Sequence, residues 1–158
     1  MTDHAKCLLL DAENRALTRG LVGEVTDAIL LRAILRFEKT FAVLILEHAN
    51  VDLSALDASV ELVWNKAPTA SAKANYPSYK QLGNIVDSAN RIALEYSDEY
   101  VGSEHLLAAL VEGGSETVQR LMQPTGLSAE LVFRHRTELF QLLKDSAADC
   151  SGNGSICC

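Results

Sequence analysis

A chain built from two copies of one unit can only adopt folds that arise by duplicating a supersecondary block, so an internal repeat constrains the fold more than any composition figure. Displaced by 77 positions, Asp11-Ala12-Glu13-Asn14-Arg15-Ala16-Leu17 falls on Ser88-Ala89-Asn90-Arg91-Ile92-Ala93-Leu94. The same displacement lays Thr26-Asp27-Ala28-Ile29-Leu30 on Ser103-Glu104-His105-Leu106-Leu107, Thr40 on Thr117 and Leu44 on Leu121. After the loss of one residue, Asn50-Val51-Asp52 pairs with Gly126-Leu127-Ser128. The order and shared offset of these matches argue against coincidence.

Each copy reads as four helices. In the first, Leu8, Leu9, Ala12, Ala16 and Leu17 recur at helical spacing between Thr2 and Arg19, and Gly20 and Gly23 close the segment. Thr26 is expected to cap a second helix carrying Ile29, Leu30, Ala33 and Ile34. Phe41, Leu44, Ile45 and His48 mark a third helix stopped near Asn50, and Asp52 caps a fourth with Leu53, Leu56, Val60, Val63 and Trp64. The second copy repeats the grammar. Its stripes are Ile85, Ala89, Ile92 and Ala93, then a helix opened by Gly102-Ser103, then Val118, Leu121 and Met122 ended by Pro124 to Gly126. Ser128 caps a last helix through Leu131, Val132, His135, Leu139 and Leu142. No segment alternates with the period of a strand. The expected fold is all-α: two tandem four-helix repeats, eight helices, related by pseudo-twofold symmetry. The expected boundaries are a divergent first repeat at 1–65, a linker rich in Ala, Ser, Pro and Lys at 66–77, a second repeat at 78–145 and a disordered Cys/Gly/Ser tail at 146–158.

The formal net charge of −7 opposes attraction to phosphate backbones and to anionic membranes, so neither nucleic acid nor membrane is an expected partner. Leu8-Leu9-Leu10 is too short for a signal core, and the apolar stretches Ala28 to Leu35 and Phe41 to Leu46 fall short of a membrane span. A cytoplasmic location is therefore expected. Of the four cysteines, Cys7 sits in a helical pattern and reads as a small core residue, while Cys150, Cys157 and Cys158 lie in the tail. They suggest neither a disulfide framework nor a paired zinc motif, and prenylation of Cys157-Cys158 is the alternative reading of the tail.

The run Tyr100-Val101-Gly102-Ser103-Glu104-His105-Leu106-Leu107-Ala108-Ala109-Leu110 resembles the (V/I)-G-(T/S)-E-H-(L/I)-L hallmark of the N-terminal repeat domain of Clp-type protein-unfolding ATPases. Ala89 and Ala93 resemble that family's A-x-x-x-A first helix, Leu121 to Leu127 its closing L-x-x-x-G-(V/L), and Met1 to Lys6 the opening of ClpC-type domains. The first copy is the divergent one, with Thr26-Asp27-Ala28-Ile29-Leu30 where the family has T-E-H-L-L. The resemblance spans nearly residues 1 to 145 and implies a Clp N-domain fold. No G-x-x-x-x-G-K-(S/T) loop occurs, so the sequence contains no phosphate cradle and no ATPase motor.

A Glu beside a His can be acid/base machinery or half a metal site, but H-E-x-x-H is absent. A structural reading has Ser103 capping the helix, Glu104 favouring its positive end and His105 filling a polar niche in the core. The resemblance implies a recognition reading instead. In ClpC-type domains the Glu of this motif and the opening Thr of the repeat bind phosphorylated arginine, through a carboxylate for the guanidinium and donors for the phosphate. Carried over residue by residue, that puts Thr2 with Asp27 in the first copy and Tyr79 with Glu104 in the second, and both positions depart from the pattern at Asp27 and Tyr79. His4, His48 and His135 are single residues without ligand spacing, Ser115 and Ser128 read as caps, Trp64 as a partly buried anchor over the linker, and Arg32, Arg36 and Lys39 as a solvated basic face.

The resemblance thus implies a non-catalytic protein- or peptide-binding module, an adaptor, modulator or substrate-recognition factor of a Clp system. Expected partners are Clp ATPase or protease subunits, adaptors or substrates. Neither cofactor nor metal is expected, and the chain is expected to be a monomer. The expected surfaces are the groove between the copies and the start of the second helix of each copy, near Asp27, Glu104 and His105. Two alternatives stand beside it: an N-terminal piece of a full unfoldase, which the unusual tail disfavours, and a small-molecule binder on the same fold.

Overall fold

The computed structural model describes residues 1–19, 25–37, 39–67 and 78–152, with side chains at 17, 19, 25, 78–81 and 147–152 outside the description. Among the described residues there are eight α-helices, one 3-10 turn and no strand. The first repeat holds α1 (Asp3–Arg19), α2 (Val25–Arg36), α3 (Phe41–His48) and α4 (Leu53–Lys66). The second holds α5 (Ser78–Glu95), α6 (Ser103–Gly113), α7 (Glu116–Met122) and α8 (Ala129–Gly152).

The helices form where the apolar stripes lie. On α1 the buried face is Ala5, Leu8, Ala12 and Ala16, and on α5 it is Leu82, Ile85, Ala89, Ile92 and Ala93. A one-sided stripe makes a covering helix. By contrast α2 is buried from Thr26 to Ile34 and α6 from Ser103 to Val111 apart from Glu104, apolar almost all round, which is the signature of a central helix. These two pseudo-equivalent helices touch each other at the middle of the molecule.

The other pairings follow pseudo-twofold symmetry, each contact having a counterpart four helices on: α1 on α2 and α5 on α6, α2 on α4 and α6 on α8, α3 on α8 and α7 on α4, α3 on α6 and α7 on α2. The third helix of each repeat therefore leans on the opposite repeat. One continuous core results, running from Ala5 to Phe133.

Helix ends match the sequence in most places. Thr40 and Asp52 cap α3 and α4 by accepting the Val43 and Ala55 N–H groups at 3.3 and 2.9 Å, and Ser128 accepts that of Leu131 at 3.2 Å. Gly126 takes the left-handed conformation (φ 66°) after the 3-10 turn Gln123–Thr125, and Asn50 does so after α3 (φ 57°).

Four expectations are corrected. Helix α2 begins at Val25, so Thr26 lies inside its first turn, 1% exposed, instead of capping it. Cys7 is exposed, because Leu8 takes the inward position on α1 and its neighbour must face out. Arg32 is not part of a solvated face, whereas Arg36 and Lys39 are exposed as expected. Arg32 is 6% exposed, lies 4.6 Å over the Trp64 ring and pairs with Glu61, while Arg36 forks onto Asp57 at 3.0 and 3.1 Å. Finally, α8 continues to Gly152, past Asp145. The linker at 68–77 and the tail at 153–158, with Cys157 and Cys158, lie outside the described residues.

Candidate functional site

The Tyr100 to His105 turn shows why this short run needs its residue types. Helix α6 starts after Gly102, which has no side chain with which to cap. Its backbone N–H instead points at the Nδ1 atom of His105, 3.0 Å away, an N3 side chain reaching back to the N-cap. A β-carbon at Gly102 would sit 2.7 Å from the carboxyl carbon of Glu104, so the glycine leaves room for that carboxylate to fold back over the turn. His105 Nδ1 also lies 3.3 Å from Glu104 Oε1. It can serve one of the two: unprotonated it accepts from Gly102, protonated it donates to Glu104. With Nδ1 unprotonated, or with both ring nitrogens protonated, Nε2 carries a hydrogen and donates to Asp98 Oδ2 at 3.1 Å.

Asp98 is in turn gripped by both terminal nitrogens of Arg136 on α8, which stacks over the Phe133 ring at 4.8 Å. Arg136 is the main reason the Asp98 carboxyl titrates below its ordinary range, with His105 adding to it against the opposing effect of burial. For Glu104 the largest single influence is burial, which disfavours the charge. His105, the helix backbone and Arg136 together outweigh it, and the net direction is downward.

Ser103, expected to cap its own helix, reaches across the molecule. Its hydroxyl accepts the Ala42 N–H at the start of α3, at 3.1 Å. Asp27 on α2, next to Thr26, the pseudo-equivalent of Ser103, does the reciprocal job: the carboxylate accepts the Ser115 N–H ahead of α7, at 2.7 Å. Each central helix therefore satisfies an orphan donor at the third helix of the opposite repeat.

Two further features lie where the repeats meet. A cavity of about 230 Å³ lies between the repeats, walled by Val51, Ala55 and Leu56 from the first and Leu121, Pro124 and Thr125 from the second. On the α3–α8 contact, His48, His135 and Glu138 converge, with the two Nδ1 atoms 3.1 Å apart. The 87-residue separation of the histidines hid this cluster, and only the shared periodicity of α3 and α8 hinted that the two faces meet.

Residues 1–125 match the Clp repeat (R) N-terminal domain family. The chain belongs to that family. It is 30% identical to the chaperone protein ClpB of Mycobacterium tuberculosis over 109 residues, 68% of this chain but 13% of ClpB, so it spans about an eighth of that relative. It is 29% identical to the Mycobacterium leprae ClpB over 126 residues. Among solved structures the fold resembles the Hsp104 N-terminal domain of Candida albicans, with a TM-score of 0.70, 22% identity, and 88% and 90% of the two chains covered. It also resembles the N-terminal domain of ClpD from Arabidopsis thaliana, with a TM-score of 0.56, 14% identity, and 89% and 96% covered.

Within this Clp repeat domain the residues carried over from ClpC-type relatives fall as follows. Thr2 is exposed at the start of α1, and its backbone N–H donates to Val101 O at 2.8 Å, so it stands at the Glu104 corner. It does not stand beside Asp27. The ring of His4 meets that of Phe37 at 5.9 Å, which sets the start of α1 against the end of α2, about 15 Å along the helix from Asp27. Thr2 thus stands with the acid of the second repeat and not with that of its own. Asp27 is 1% exposed and engaged with Ser115, His105 is 1% exposed, and Glu104 is mostly covered. Tyr79 lies on α5, with its side chain outside the described residues. Among the described residues no helix is long and apolar enough to cross a membrane.

Proposed function

We propose that this Clp repeat domain is a protein- and peptide-docking module of a Clp-type unfolding system, acting as adaptor, modulator or substrate-recognition factor without chemistry of its own. The observation that carries the reading is the groove between the repeats. It is concave, largely apolar at Val51, Leu56, Leu121 and Pro124, and edged by Asp52. Such a surface suits an extended apolar segment flanked by a cation. The net charge of −7 adds long-range attraction for basic partners.

The Glu104 corner supports a phosphoarginine ligand less well. Its carboxylate is folded over Gly102 and lies within 4.0 Å of Arg136, which a ligand guanidinium would have to displace. Asp27 sits under the surface.

The test is binding of a fluorescent unfolded model substrate and of a peptide array to the full chain. Ala55→Arg, which fills the groove, is expected to weaken binding at least tenfold, whereas Leu94→Arg, at a side chain 79% exposed on α5, leaves it unchanged. Equal binding by the wild type and Ala55→Arg would remove the groove from consideration.

A further inference from the structure

We propose that His48, His135 and Glu138 form a zinc site that clamps α3 of the first repeat to α8 of the second. Three potential ligand atoms from two helices meet at one point. His48 Nδ1 and His135 Nδ1 are 3.1 Å apart, His135 Nδ1 and Glu138 Oε2 3.2 Å, and His48 Nδ1 and Glu138 Oε2 3.7 Å. Zinc–nitrogen and zinc–oxygen bonds of about 2.0–2.2 Å at tetrahedral angles place neighbouring ligands roughly 3.3–3.5 Å apart. The three observed separations bracket that value, so an ion enters with shifts of a few tenths of an ångström.

The arrangement is held by parts that are not ligands. Phe41 and Phe140 stack at 4.8 Å toward the opposite end of the same helix pair, and this sets the α3–α8 spacing. His135 and Glu138 are one turn apart on α8, hence on one face, and His48 is in the last turn of α3. Without an ion the cluster is short of hydrogens. Two imidazole nitrogens and a carboxylate oxygen are mutually in contact, and a single Nδ1–H must serve two acceptors. A cation gives all three lone pairs a partner.

Imidazole nitrogens select zinc and similar transition ions over magnesium or calcium. The two histidine side chains are 27% and 22% exposed and that of Glu138 47%, so the ion has a route in and a fourth position for water. Because the ligands come from opposite repeats, bound zinc locks the two halves together.

The test uses the full chain, dialysed with zinc and then against zinc-free buffer, with metal content and thermal unfolding measured in zinc and in EDTA. One zinc per chain is expected, with the midpoint raised by roughly 5–10 °C when zinc is about a hundredfold above its dissociation constant. His48→Gln and Glu138→Gln are each expected to abolish the zinc-dependent rise while leaving the midpoint in EDTA close to wild type. Glu138 is an exposed surface position, so its variant reports even if His48→Gln folds poorly. Cobalt(II) in place of zinc separates this cluster from the cysteines, since a nitrogen/oxygen site shows ligand-field bands without a thiolate-to-cobalt charge-transfer band. Retention of no zinc, equal retention by Glu138→Gln, or a thiolate band at the first equivalent of cobalt would overturn the proposal.

Discussion

Asp27 on α2 and Ser115 ahead of α7 lie 88 residues apart, yet the carboxylate of one accepts the backbone N–H of the other at 2.7 Å. The bond is buried, and with its counterpart between Ser103 and Ala42 it forms a pair of reciprocal straps across the pseudo-twofold axis. Removing a buried acceptor leaves the donor desolvated, which costs about 1–3 kcal/mol. Asp27→Ala is therefore expected to lower the unfolding free energy by about 2 kcal/mol in urea titrations. Asp27→Asn, whose amide oxygen can still accept, should cost less. Equal costs for the two would mean that the strap contributes little.

Acid sensitivity should centre on the Asp98–Arg136 pair. Both Asp98 and Glu104 have folded-state carboxyls shifted down, so each stabilises the fold at neutral pH. That contribution is lost as pH falls from the ordinary carboxylate range through the lower folded values. Arg136→Ala removes the main cause at Asp98, and helicity followed by circular dichroism should then collapse at a higher pH than in the wild type. An unchanged acid midpoint would detach this pair from acid stability.

Adjacent glycines at the end of α6 should respond in opposite ways. A β-carbon at Gly114 would collide with the carbonyl oxygen of Leu110 and lie 3.0 Å from Val118 Cγ1, while one at Gly113 meets nothing within 4 Å. Gly114→Ala is expected to destabilise by about 1–3 kcal/mol, as overpacking against fixed backbone does. Gly113→Ala should be neutral or stabilising by up to about 1 kcal/mol, since alanine is the better helix residue. Thermal melts of the two single variants decide the matter.

The repeats should not fold apart. Since α3 rests on α6 and α8 and α7 on α2 and α4, a fragment of residues 1–67 or 78–158 would expose both the crossed contacts and the central-helix face. Each fragment is expected to show little helicity alone and to regain it on mixing. Cooperative melting of either fragment by itself would contradict the shared core.

The covering stripes on α1 and α5 and the stops at Asn50 and Gly126 were legible because they depend on neighbours three or four residues away. So were the caps at Asp52 and Ser128. The errors have equally local causes. Cys7 adjoins a buried leucine, and one step along a helix turns a side chain about 100° away from the core. Arg32 reads as solvated because nothing in sequence announces Glu61 and Trp64, one helix pair away. Glu104 and His105 stood out from their motif, but Asp98 and Arg136, which engage them, carry no such signal.

The sequence by itself determined that there are two copies of a four-helix unit, which faces of those helices are apolar and which family the unit resembles. These follow from periodicity, composition and motif, all written along the chain. Only the tertiary structure decided that the repeats exchange their third-helix contacts, that Thr2 belongs to the Glu104 corner, and that His48 meets His135 and Glu138. Each depends on how two helix surfaces cross. A residue spacing specifies which side of a helix is sticky, but the crossing is set by the packing of the shared core.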